Sequence, residues 1–114
     1  MLRSWPAQSP ALAEAFTKHL GETKGHVQRL EQIFKILGET ARAKRCPGME
    51  GIVEEGKEIM HEDGEEAVID AALIAAAQKV EHYEMASYGC LKTYANLLGL
   101  RDAEKLLKQT LAEE

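Results

Sequence analysis

The sequence predicts an all-α protein, a helical bundle with a short crossover helix. Three observations predict it. Apolar residues recur at three- and four-residue spacing over two stretches of about thirty residues, each the length of a bundle rod. No segment alternates apolar and polar residues as a half-buried strand would. The breaks between periodic stretches carry helix punctuation: Ser9-Pro10, Gly38, Cys46-Pro47-Gly48, Asp63-Gly64 and Gly99.

The 114 residues make one domain, 1–114. Residues 1–8 read as a linker or remnant, with Met1, Leu2 and Trp5 as the apolar tail of something. Ser9 can cap and Pro10 fits a first turn, so a long helix is expected over 9–37. Its apolar stripe is Leu12, Phe16, Leu20, Val27, Leu30, Phe34 and Leu37, and Gly38 stops it. A loop with Arg42, Lys44 and Arg45 follows and reads as solvated surface. A shorter crossover helix is expected over 47–62, packing through Met49, Ile52, Val53, Gly56, Ile59 and Met60. The second long helix should run over 66–98 and stop at Gly99. Asp102 can cap a last helix over 102–114 that turns Leu106, Leu107, Thr110 and Leu111 inward.

A four-helix bundle needs four rods of similar length. This chain offers two full rods, of ~42 and ~48 Å at 1.5 Å per residue, with a short crossover helix and one truncated rod. The missing apolar cover is expected from a partner subunit or from parts of the protein outside this chain, and in either case a homodimer or a higher homo-oligomer is the favoured expectation.

Composition narrows the function. The chain is 45% hydrophobic and 29% charged, with a net charge of −5 and no long basic run, which argues against nucleic acid as a partner. The longest apolar run, Ala71 to Ala77, is far short of the ~20 residues of a membrane span. Trp5-Pro6 and Ser9-Pro10 break any leader-like start. Two cysteines make no disulfide framework, so a reduced, cytoplasmic protein is expected. Cys90 reads as a small buried hydrophobe. Cys46, before a helix start, could be acidified, but no base is evident beside it.

The chemistry concentrates on the second long helix. A 3-4 stripe runs Asp70, Ile74, Ala77, Glu81, Glu84, Tyr88, Leu91, Ala95, Leu98. The neighbouring stripe of Leu73, Ala76, Val80, Tyr83, Ser87, Cys90, Tyr94 and Leu97 is also mostly apolar, so most of the helix should be covered. Glu81 and Glu84 therefore face inward as a pair roughly 6 Å apart. At an effective dielectric near 20, two such charges repel by about 3 kcal/mol, and each also loses hydration. A domain stable by about 5–15 kcal/mol needs a remedy. One carboxylate can hold a proton, an Arg or His can pair with them, or a cation can bind between them.

The first long helix offers His19, Glu22, His26 and Arg29 along one flank of its apolar face. Arg29 can pair with Glu22 or Glu84 without any metal. With His19 and Glu22 facing Glu81 and Glu84, and Glu114 on the inward face of the last helix, the set mixes imidazole and carboxylate. That suits iron, manganese or zinc better than calcium. Glu58-Ile59-Met60-His61 is a literal E-x-x-H, but at a helix end where exposure is expected. The alternative to a metal pocket is a non-catalytic dimerisation module whose buried charges set register. No Ser-His-Asp arrangement, glycine-rich phosphate loop or CxxC is present.

Four stretches carry a family resemblance: HLGETKGHVQRLEQIF (19–34), MEGIVEEGKEI (49–59), DAALIAAAQKVEHYEMASYGCL (70–91) and LGLRDAEKLLKQTLAEE (98–114). They resemble the YciE/YciF-like family of ferritin-like bacterial stress proteins. The resemblance implies a ferritin-like bundle, a dimeric habit, a role in stress response and a ferroxidase-like reaction by analogy. It implies metal ligands at His19, Glu22, Glu81, Glu84 and Glu114, with iron or manganese as cofactor and His26 as ligand or support. It also implies a helix before Met1, whose end MLRSW resembles, and a last helix continuing past Glu114. The ferritin E-x-x-H pairing is missing at the expected places, since Gly25 follows Glu22 and Glu84 follows Glu81.

Overall fold

The computed structural model describes residues 5–114; Met1 and Leu2, read above as an apolar tail, lie outside them. Helix α1 spans Pro10–Leu37, α2 Pro47–Met60, α3 Glu66–Leu97 and α4 Arg101–Glu113, and no strand occurs among the described residues.

Each boundary has a local cause. The Ser9 hydroxyl accepts from the Leu12 N–H and Pro10 occupies the first turn of α1. Gly38 takes a left-handed φ of 69°, which lets its N–H reach Lys35 and that of Glu39 reach Phe34, closing the helix in a Schellman pattern. Gly99, φ 71°, repeats this after α3, with Gly99 bonded to Asn96 and Leu100 to Ala95. Helix α2 ends at Met60 with His61 as its cap, before Asp63-Gly64. Asp102 does not cap α4. Leu100 holds that position without a side-chain bond, and Asp102 lies in the first turn, where its charge favours the helix N-terminus.

Helices α1 and α3 run parallel. Ser9 meets Asp70, His19 meets Glu81 and His26 meets Tyr88, advancing together along both helices. The crossover containing α2 makes this possible, while α4 turns back tightly and runs antiparallel to both. The molecule is elongated, 51 × 26 × 21 Å. Helix α3 packs on α2 and α4, and α1 packs on α4, but the backbones of α1 and α3 stay apart among the described residues.

Burial along α3 departs from the expected stripe. Leu73, Ala76 and Val80 are the buried apolar residues of its first half, while Ile74, on the expected face, is 46% exposed. In the second half the pattern reverses. Ala95 is buried and Tyr88 half-buried, whereas Cys90, Tyr94 and Leu97 are exposed. The cause is helix length. At 1.5 Å per residue α2 and α4 are each only ~20 Å long against ~48 Å for α3. Helix α2 therefore covers one stripe of the first half, and α4 covers another stripe of the second. Cys90 lies on the stripe that α2 has already left, which is why it is not the buried hydrophobe its sequence suggested. The expected face of α2 does turn inward, with Gly56 buried and Met49, Ile52, Val53, Ile59 and Met60 half-buried. Under α4, Ile33, Ala95, Ala103 and Leu107 form the core, flanked by Leu30, Tyr88, Leu100 and Leu106.

The buried Asp70 has a structural task. Its two carboxylate oxygens accept the backbone N–H groups of Gln8, at 3.0 Å, and Ser9, at 2.7 Å. These are donors that a helix start leaves without intrahelical partners. Asp70 thereby fastens the beginning of α1 to α3.

Candidate metal centre

Three helices converge where α4 ends. Helix α1 supplies His19, His26 and Arg29, α3 supplies Glu81, Glu84 and Tyr88, and α4 supplies Thr110, Glu113 and Glu114. His19 and His26 are seven residues apart, two turns on one face. Glu81 and Glu84 are one turn apart, level with them because α1 and α3 run parallel.

At the centre, one ligand atom from each of His26, Glu84 and Glu114 lies within 4.8 Å of the others. His26 is 3% exposed and the Glu114 side chain is fully buried. His26 Nδ1 and Glu114 Oε1 lie 3.2 Å apart, yet neither has a hydrogen-bond partner, nor does Glu114 Oε2. The approach is too oblique for a hydrogen bond. Buried polar atoms without partners are uncommon and costly, and here several converge on one point.

Beside this group, His19 Nδ1 lies 2.9 Å from Glu81 Oε1, with both side chains about one-quarter exposed. The carboxyls of Glu84 and Glu81 stand beside that of Glu114 as acidic neighbours. Burial and these two neighbours push its carboxyl up to about 10. In the metal-free protein Glu114 therefore holds a proton at neutral pH, and His19 faces Glu81. The contact with His19 is one of the three remedies open to the acidic pair. Tyr88, half-buried against the edge of His26, is pushed up to about 12 by desolvation and by the charges of Glu84 and Glu114.

Arg29 does not pair with Glu22 or Glu84. Its guanidinium grips Glu113 through two bonds, Nη1 to Oε2 at 2.9 Å and Nη2 to Oε1 at 3.1 Å, and Nη1 also donates to the Thr110 hydroxyl at 2.7 Å. Glu113 Oε2 meets His26 Nε2 at 2.9 Å as well. The Arg29 guanidinium, with His26 adding, holds the Glu113 carboxyl below its ordinary range.

Of the residues singled out from sequence, the structure brings Glu84 and Glu114 into the central group and places Glu81 and His19 at its edge. Glu22, half-buried one turn before His26, is not one of the converging residues. His26, expected as ligand or support, is the central imidazole. Glu113 was not anticipated. The signal available was its place beside Glu114 and one turn from Thr110, but only the register of α4 against α1 shows that it meets Arg29. Glu58 and His61 are exposed at the far end of α2. Cys46 has the Tyr83 phenol 3.2 Å away, whose hydrogen bond holds the exposed thiol below its usual range.

A groove of about 420 Å³ opens between α1 and α3 and ends at this cluster, with Leu12, Phe16, Ile74 and Met85 as apolar walls and Glu81 and Glu114 at its foot. No helix among the described residues is long and apolar enough to cross a membrane.

The chain is similar to known proteins along most of its length. The Escherichia coli (strain K12) protein YciF is 50% identical over 104 residues, covering 90% of this chain and 63% of YciF. The crystal structure of that stress protein superposes with a TM-score of 0.90 at 47% identity, over 94% of this chain and 68% of the solved one. A Rhodopseudomonas palustris protein, YcfI, described as a candidate structural protein, matches equally well at 0.90 and 40% identity, with the same coverage. The sequence pattern of the family described as "Domain of unknown function (DUF892)" matches residues 4–114. With that match spanning nearly its whole length, the chain belongs to this family, the family of the YciF-like stress proteins.

Proposed function

We propose that this protein is a ferritin-like stress protein whose pocket binds iron or manganese. His26, Glu84 and Glu114 hold the metal, and Glu81 and His19 extend the site at its edge. One observation carries the reading: His26 Nδ1 and both Glu114 carboxylate oxygens are buried, close together and without hydrogen-bond partners. A cation at their meeting point satisfies all of them at once, and the mixed nitrogen–oxygen set suits iron, manganese or zinc over calcium. The parallel pair of helices joined by a crossover is also the connectivity of ferritin-like bundles. Iron bound here would supply one-electron oxidation chemistry, Fe(II) losing an electron to dioxygen or peroxide, as a ferroxidase does. The residues' own part is to bind the ion, and Glu114 gives up its proton as it does so.

The experiment is metal titration of protein freed of metal. Wild-type protein should bind Mn(II) or Fe(II), and a Glu84→Ala, Glu114→Ala variant should bind at least about 10-fold more weakly. Equal binding by the two proteins would remove the assignment.

A second reading has its own support. Tyr94, Leu97 and Leu98 are more than half exposed, Leu91 is 43% exposed, and YcfI is described in structural terms. Here the chain is a homo-oligomerisation module, and the charged cluster fixes the alignment of the helices. Loss of metal binding with an unchanged assembly favours the first reading. An altered assembly with no metal binding in either protein favours the second.

A further inference from the structure

We propose that the first half of α1, residues 10–25, is a hinged arm that opens away from α3 and uncovers the acidic cluster, and that residues 5–9 are the clasp holding it shut. The opening is a property of the chain by itself; that a divalent cation enters by it rests on the metal-binding reading.

The arm is weakly held along its length. No residue of α1 before His26 is buried, whereas the second half carries the buried His26 and Ile33. The backbone of α1 packs on α4, and α4 ends at Glu113, level with His26 and Arg29. Beyond that level α1 borders the groove of about 420 Å³, which the contact of His19 with Glu81 crosses at 2.9 Å. A segment with so few buried apolar contacts opens at a lower free energy than the core it continues from.

The sequence puts a soft point at the join. Gly21 and Gly25 lie in the helix interior, where each weakens the helix relative to alanine. Crowding does not require them, since a Cβ at either position meets nothing within 4 Å. A bend there carries Leu12, Phe16 and His19 outward together and leaves Ile33 in the core under α4. It parts His19 from Glu81, beside the buried Glu114 at the foot of the groove.

The far end of the arm is fastened by the segment that precedes it. The backbone N–H groups of Gln8 and Ser9 donate to the two carboxylate oxygens of Asp70 on α3. The Trp5 ring stands edge-on to Phe16 of α1, centroids 6.1 Å apart, and rests on Gly56 of α2. Five residues thus tie the arm to α2 and α3, away from the α4 contact that holds the rest of α1.

The test is hydrogen exchange, read by mass spectrometry on the full metal-free chain. Mn(II) uptake after rapid mixing is followed by loss of its free-ion electron paramagnetic resonance signal. In the wild type, amides of 12–24 should exchange at least about 10-fold faster than those of 28–37. Asp70→Asn loosens the clasp and should speed exchange over 12–24 by about 10-fold more, with 28–37 and α4 unchanged. Trp5→Ala should act in the same direction, and guards against an Asp70 variant that fails to fold. Gly21→Ala should slow exchange over 12–24 by about five-fold, the ratio equivalent to the ~1 kcal/mol that favours alanine in a helix. Mn(II) should associate faster with both clasp variants than with the wild type. Uniform exchange along α1, or exchange that rises in every helix together in both clasp variants, would overturn the proposal. So would an Mn(II) association rate that the clasp variants leave unchanged. The expected exchange pattern in a protein that takes up no Mn(II) would uphold the arm and its clasp and reject the metal reading instead.

Discussion

Glu114 shows what one buried carboxyl does to the whole chain. Its ordinary value near 4.5 becomes about 10 in the fold. Between those values the folded state binds a proton that the unfolded state does not, so stability from this group falls as pH rises through the window. The contribution is complete below about 4.5 and lost by about 10. Metal-free protein should therefore melt at a lower temperature at pH 9 than at pH 6, and Glu114→Gln, neutral at every pH, should reduce that difference. Equal pH dependence in the two proteins, measured by thermal melts with chelator present, would show that Glu114 is not the buried acid described here. Glu113 acts in the opposite sense. Its carboxyl is depressed by Arg29, so its contribution is present above its unfolded value and fades only as the solution becomes more acid. The acidic pair was legible from Glu81 and Glu84 at inward positions on an apolar helix. The pairing of Arg29 with Glu113, and the choice of His26 over His19 as the central imidazole, were not. Which of several imidazoles and carboxylates meet depends on the rotation of α1 and the register of α4, and side-chain spacing along one helix does not determine either.

At the scale of elements, the helix starts and stops were readable because their causes are local: a serine before a proline, and a glycine free to take a positive φ at Gly38 and Gly99. Burial along α3 was less readable, because it depends on how far two short helices reach along a long one. Helix α2 offers a sharp test of such packing. A Cβ added at Gly56 would run into the Trp5 ring, whereas one added at Gly51 meets nothing within 4 Å. Both positions are helical, where alanine is favoured over glycine by about 1 kcal/mol. Gly51→Ala should thus raise stability by about 0.5–1 kcal/mol. Gly56→Ala should lower it by about 1 kcal/mol or more as the indole is displaced, with a matching change in Trp5 fluorescence. Equal gains in urea unfolding would mean that Trp5 does not rest on α2.

Across the whole molecule, the buried apolar set is thin and rich in alanine, and the outer end of α3 carries Leu91, Tyr94, Leu97 and Leu98 at the surface. An apolar band of this kind marks a contact surface more often than bare solvent exposure. The chain is expected to sediment as a dimer or larger at micromolar concentration, and Leu97→Glu with Leu98→Glu should shift it toward monomer. A wild-type monomer that persists at high concentration would remove the proposed homo-oligomer.

The Asp70 anchor gives the long parallel pair a particular mechanical character. Helix α1 is pinned to α3 near Ser9, and to α4 near Arg29, and between the pins the two backbones stand apart and are bridged by the polar contact of His19 with Glu81. That stretch is a groove crossed by one polar contact, not a close-packed core. A small change of spacing at the middle, where His19 faces Glu81, can occur without tearing the core under α4.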